Sequence, residues 1–161
     1  ENYDPEYRLW PKDSKLQSEV VQWLMFQMGG IGPMLGQANH FISYAPSKLE
    51  YAITRYVDET KRLINVLEKR LKDREFLVGD QLTIADISNV SWVTHAFKVN
   101  IDLQGFPNVN EWVERVESIP EVAKGYDVPT KSNHREMKKN PELLKKLLEE
   151  NSKWIQKANN Q

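Results

Sequence analysis

The chain reads as an all-α protein, a bundle of helices without a sheet. Three observations lead there. Apolar residues recur at steps of three and four along almost its whole length. No segment keeps the strict apolar–polar alternation of a strand. Helix-start signals at Ser47, Thr83 and Asn140 divide the chain into separate helical units. With 161 residues it is one domain in length, enough to bury about two thirds of its unfolded surface.

Residues 1–13 are polar, carry Pro5 and Pro11, and predict an extended leading segment. A first helix is expected from Ser14, with Leu16, Val20, Trp23, Leu24 and Gln27 on one face. It runs into a cluster of four glycines, Gly29, Gly30, Gly32 and Gly36. Pro33 lies inside that cluster, so the helix must kink or break there. The apolar pattern resumes through Met34, Leu35, Ala38, Phe41 and Ile42 and stops near Pro46.

Ser47 followed by Glu50 has capping-box spacing and predicts a helix from Ser47 to Asp73, roughly 27 residues and about 40 Å long. Its buried stripe is Leu49, Ile53, Tyr56, Thr60, Leu63, Leu67 and Leu71. Glu59 with Arg62, and Glu68 with Lys72, have ion-pair spacing on its polar side. Thr83 and Asp86 form a second capping box, with Leu82 and Ile87 spaced as a hydrophobic staple. The stretch beyond, to Val99, is almost uncharged and predicts a helix buried on all sides. Phe106-Pro107 leads into an amphipathic helix with Val109, Trp112, Val113 and Val116, and a short helix follows to Gly125. Residues 126–139 read as irregular. Asn140-Pro141-Glu142 starts a last helix whose apolar face carries Leu143, Leu144, Leu147, Leu148, Trp154 and Ile155.

Composition removes several classes of function. The absence of cysteine excludes a disulfide, a thiolate metal site and a cysteine nucleophile in this chain. A net charge of −1 does not suit a nucleic-acid binder. The apolar run from Trp23 to Gly36 is too short to span a membrane, and the first residues show no leader. The missing initiator Met is consistent with a chain that begins inside a longer protein, or with a trimmed one.

Chemistry by spacing is sparse. The glycines match neither the dinucleotide fingerprint nor a phosphate loop. They permit close approach to the backbone, by a packed helix or by a ligand. His40, His95 and His134 share no metal-ligand spacing, and a structural role suits His40 best. No metal site is expected. Arg55 lies beside the buried stripe, and by spacing alone it reads as a snorkelling surface arginine rather than an anion-facing one.

The residues then carry a resemblance. Trp23-Leu24-Met25-Phe26-Gln27-Met28-Gly29-Gly30-Ile31-Gly32-Pro33-Met34-Leu35-Gly36-Gln37 resembles the start of the helical domain of cytosolic glutathione transferases. The branch is the Nu class with the fungal enzymes related to the yeast nitrogen-regulating prion protein. Ala52-Ile53-Thr54-Arg55-Tyr56, the motif Leu77–Asp86 and Phe106-Pro107 before Trp112 are similar too. The likeness spans about residues 5–125. It implies a linker over 1–13, a helical domain over 14–125 and an extension over 126–161.

The resemblance also implies partners and roles. A thioredoxin-like N-terminal domain, absent from this chain, would bind glutathione as co-substrate. The helical domain would supply a hydrophobic-substrate pocket and dimer contacts. The full-length product would be a cytoplasmic homodimer that conjugates small electrophiles or reduces disulfides and peroxides; this chain alone would be inactive. Arg55 would favour the glutathione thiolate. Gln27, Gly32, Pro33, Met34, Gln37, Asn39, His40 and Trp92 would line the pocket or the subunit interface. Thr83 and Asp86 would be structural caps. A non-catalytic interaction module built on the same helical domain is the alternative.

Overall fold

The structure, a computed structural model, describes residues 3–159. Among these residues every regular element is helical. Helix α1, Ser14–Phe26, starts where the Asp13 carboxylate accepts from the Lys15 and Leu16 amides at 2.9 and 3.0 Å. A π-helical turn, Gln27–Ile31, joins it to α2, Gly32–Ser43. The interruption expected at Pro33 is therefore taken up one turn earlier. The ladder widens, with the Gly32 amide donating to the Gln27 carbonyl, and Pro33 sits in the first turn of α2 where its missing donor is harmless.

Helix α3 spans Glu50–Leu71 and packs along α2. Ser47 does not cap it. The helix begins three residues later than expected, behind Leu49, and is 22 residues long. The Glu50 carboxylate pairs with Lys48 at 2.5 Å instead of reaching back to a cap. The Glu59–Arg62 pair forms at 2.7 Å. Glu68 does not serve Lys72. It accepts from the Asn108 and Val109 amides at 3.2 and 2.9 Å, capping another helix. Unpaired first-turn amides outcompete a solvated lysine for a carboxylate.

That capped helix is α5, Pro107–Glu117, which packs on α3 and on α4, Ile84–Val93. Helix α4 opens with the expected Thr83–Asp86 box. It ends at Val93 rather than Val99, and a 3-10 turn, Ala96–Val99, follows. It is not buried on every side: Ser91 and Trp92 are open. The core lies between α1, α3, α4 and α5, built from Val20, Ile31, Ile64, Leu67, Val93 and Trp112.

The short α6, Pro120–Gly125, is as expected. Residues 126–139 are not wholly irregular, since they carry α7, His134–Lys139. Helix α8, Pro141–Asn159, starts on the Asn140 cap, whose side-chain oxygen accepts from the Leu143 amide at 3.1 Å. Buried polar groups fasten this extension to the bundle. His134 Nε2 stands 3.3 Å from Glu117 Oε1 at the end of α5. Its ring lies 4.6 Å from that of Tyr126 and 5.6 Å from that of His95. Arg135 closes the group by donating to the Glu117 carbonyl at 2.9 Å.

Candidate functional site

The π-turn and α4 build a wall together. Gln27 Oε1 accepts from the Ser88 hydroxyl at 3.1 Å, across 61 residues of sequence. A Cβ on Gly32 would stand 2.6 Å from Gln27 Nε2 and 3.2 Å from the Trp92 indole. Glycine at that position is what admits the amide and the ring together. The Trp92 ring continues over Gly36, 3.8 Å from where its Cβ would be. Asn89, one turn before Val93, ties α4 to the same rod by donating to the Trp23 carbonyl at 3.0 Å. Gly32 and Gly36 thus allow close packing of Trp92, a side chain that remains 37% exposed.

The remaining expected site residues do not gather at one point. Pro33 and Gln37 are exposed, one turn apart on the outward face of α2. Met34 packs against the core. Asn39 accepts from the Ser43 hydroxyl at 3.3 Å. His40 stands edge-on to Phe41 at 5.2 Å, and Phe41 stacks on Tyr56 at 5.6 Å. That column belongs to the α2–α3 seam. Arg55 is exposed, and among the described residues no carboxylate is within ion-pair distance of it. Thr83 and Asp86 are buried caps, as expected. No group of three or more His, Asp or Glu is placed to hold a metal ion among the described residues.

A second feature adjoins the wall. On the flank of α4 next to Ser88 and Trp92, an open trough of about 700 Å³ is lined by Leu9, Leu82, Ile87, Val90, Ile119 and Val122. The leading segment forms one rim. Asp4 holds it in a turn by accepting from the Arg8, Leu9 and Trp10 amides at 2.8 to 2.9 Å, and those donors keep its carboxyl below the usual range. The Ile84 amide donates to the Leu9 carbonyl at 3.2 Å and fixes the segment against α4.

The buried cluster around His134 was not legible in the sequence. His95 Nδ1 lies 3.0 Å from the Ser91 carbonyl, and burial pushes the ring down to about 4, with Lys98 adding to the effect. Burial and the Glu117 charge push the Tyr126 hydroxyl up. Residues from the ends of α4, α5 and α6 meet the start of α7 here, and no local spacing encodes that.

Comparison with known proteins follows the same lines. The family model described as glutathione S-transferase, C-terminal domain, matches residues 32–120. The chain is 44% identical over 108 residues to the disulfide-bond oxidoreductase YfcG of Escherichia coli, covering 67% of this chain and 50% of that protein. It is 33% identical over 150 residues to the transcriptional regulator URE2 of Saccharomyces cerevisiae, covering 72% of this chain and 42% of that one. A solved glutathione transferase homologue from Lodderomyces elongisporus, with two GSH per subunit, superposes with a TM-score of 0.75 at 34% identity. That match covers 79% of this chain and 61% of the homologue. The chain spans about half the length of these curated relatives. An all-helical bundle with the Thr83–Asp86 box and this match over 32–120 belongs to the glutathione S-transferase family, as its C-terminal domain.

Proposed function

We propose that residues 14–125 form the helical half of a glutathione-dependent transferase or disulfide reductase, with residues 1–13 as the interdomain linker and 126–161 as an extension. The observation that carries this reading is the arrangement on α4. The Gln27–Gly32–Trp92 wall and the apolar trough lie on adjoining flanks of one helix. A thioredoxin-like domain seated in the trough would bring bound glutathione alongside the wall.

In conjugation, the glutathione sulfur forms a bond to the electrophilic carbon, and the leaving group departs with its electron pair. In disulfide reduction, the same thiolate attacks one sulfur and expels the other as a thiolate. Arg55, with the exposed Pro33 and Gln37 on the outward face of α2, would meet glutathione from a second copy in a cytoplasmic homodimer. The exposed Val21, Met25 and Met28 continue that outer face along the rod and support such a pairing.

The test compares the full-length product with this chain alone. Glutathione-dependent turnover of 1-chloro-2,4-dinitrobenzene and of hydroxyethyl disulfide is expected for the full-length product only. An active isolated chain, or an inert full-length product, overturns the reading. The likeness to the transcriptional regulator supports the second reading, a non-catalytic interaction module. Binding of glutathione without turnover of either substrate would favour it.

A further inference from the structure

The leading segment is held more firmly than a tether requires. Asp4 Oδ1 accepts from the Arg8 amide at 2.9 Å, and Oδ2 accepts from the Leu9 and Trp10 amides at 2.8 and 2.9 Å. The turn so closed carries Tyr7 at φ 57°, a left-handed conformation that a residue other than glycine keeps only where its surroundings hold it. The bundle grips the same turn. Gln81 Nε2 donates to the Tyr7 and Arg8 carbonyls at 3.2 and 3.3 Å. The Ile84 amide, a free donor at the start of α4, takes the Leu9 carbonyl at 3.2 Å. Trp10 packs on the core, and Gln17 Nε2 of α1 donates to the Pro11 carbonyl at 2.9 Å. Tyr3, Asp4, Arg8 and Leu9 line the trough together with Ile119 and Val122. A domain linked upstream is therefore tethered at the edge of that trough.

We infer that Asp4 is a positioning residue: it locks the leading segment into a rigid bracket that aims the glutathione-binding domain at the trough and keeps the two-domain active site assembled. This rests on the glutathione-dependent reading above. A flexible linker lets a domain sample many orientations, of which few are productive. A linker ordered in advance removes most of that entropic cost from docking. An electrophile needs both domains, so its apparent affinity falls with the fraction of molecules in which they are docked. Once the electrophile saturates, the docked state is restored. The chemical step is then unaltered, because Asp4 takes no part in it.

The experiment uses the full-length product, with 1-chloro-2,4-dinitrobenzene as electrophile at saturating glutathione. Asp4→Ala should raise KM for the electrophile about tenfold and leave kcat within about twofold. Without substrate, trypsin should cut the variant after Arg8 or Lys12 about tenfold faster than the wild type, as read by mass spectrometry. Asp4→Asn, whose carbonyl oxygen can replace Oδ2 and keep two of the three amides, should lie within about threefold of wild type in both measurements. Glu6→Ala removes only an exposed pairing with Arg8 at 3.3 Å and should match the wild type. Thermal unfolding of each variant confirms that it is folded. Unchanged cleavage of Asp4→Ala would show that the segment is held without Asp4. Faster cleavage with unchanged KM would show that the bracket is local structure only. Either result overturns this inference and leaves the glutathione reading intact. A wild-type product without turnover overturns that reading and this inference with it.

Discussion

The Trp112 indole donates to Asp86 Oδ1 at 3.0 Å, joining α5 to the first turn of α4 inside the core. The same carboxylate accepts from the Leu77 amide at 2.8 Å, and its other oxygen accepts from the Thr83 amide and hydroxyl, each at 2.9 Å. Four donors surround a carboxylate with no solvent exposure. The capping box is thus one half of a junction that also holds the α3–α4 connection and the largest fully buried side chain.

Removing one donor and removing the carboxylate should differ sharply. Trp112→Phe deletes one hydrogen bond to a charged group and some volume, and is expected to cost about 2 kcal/mol. Asp86→Ala strands four buried donors, and is expected to cost about 4 kcal/mol or more. Urea unfolding followed by tryptophan fluorescence measures both. Similar losses for the two variants would mean that Asp86 acts only as a local cap.

The two glycines under Trp92 should respond in opposite directions. Gly36→Ala places a methyl group at ordinary contact with the ring and removes a helix-interior glycine. It should gain about 0.5–1 kcal/mol. Gly32→Ala crowds Gln27 and the indole and should lose about 1–2 kcal/mol. Melting temperatures of the pair decide this. A stabilising Gly32→Ala would show that the amide does not occupy the space above that glycine.

Stability should fall as acid approaches the folded value of His95. Its ring titrates at about 4 in the fold, against an ordinary 6.5. Between those values the unfolded chain holds a proton that the folded chain refuses, so stability falls as pH drops through the window. The full loss is about 3 kcal/mol, complete below about pH 4. His95→Gln should flatten this part of the profile between pH 6.5 and 4. Parallel profiles for the two proteins would remove His95 as the source.

The extension should detach when its clasp is cut. Glu117→Ala leaves buried His134 without its carboxylate partner and removes the side-chain acceptor facing Arg135. The expected cost to docking of α7 is about 3 kcal/mol. Limited proteolysis should then cleave within 127–140 well before the bundle. Unchanged protection of that segment would mean that α8 packing on α2 holds the extension unaided.

Most of the secondary structure was legible because its signals are local. The Thr83–Asp86 box, the Asn140 cap and the helical apolar period each depend on residues within one turn. Two local signals lost to a competing partner, one distant in the chain and one adjacent. Glu68 suits Lys72 by spacing, yet it caps α5, which lies 40 residues further along. Ser47 has a capping sequence, but Glu50 is taken by Lys48.

By itself the sequence determined an all-α bundle, a special backbone at the glycines, and the family through motifs at those glycines and at Thr83–Asp86. Only the tertiary structure decided what the glycines are for. Gly32 matters because Ser88 and Trp92 arrive there from α4, and the amide of Gln27 needs the room. Tertiary structure also assembled the His95–Glu117–Tyr126–His134 cluster. The reason is the same in both cases. Periodicity and caps are set within a helical turn, whereas a site is set by which helix faces meet, and that depends on the packing of the whole core.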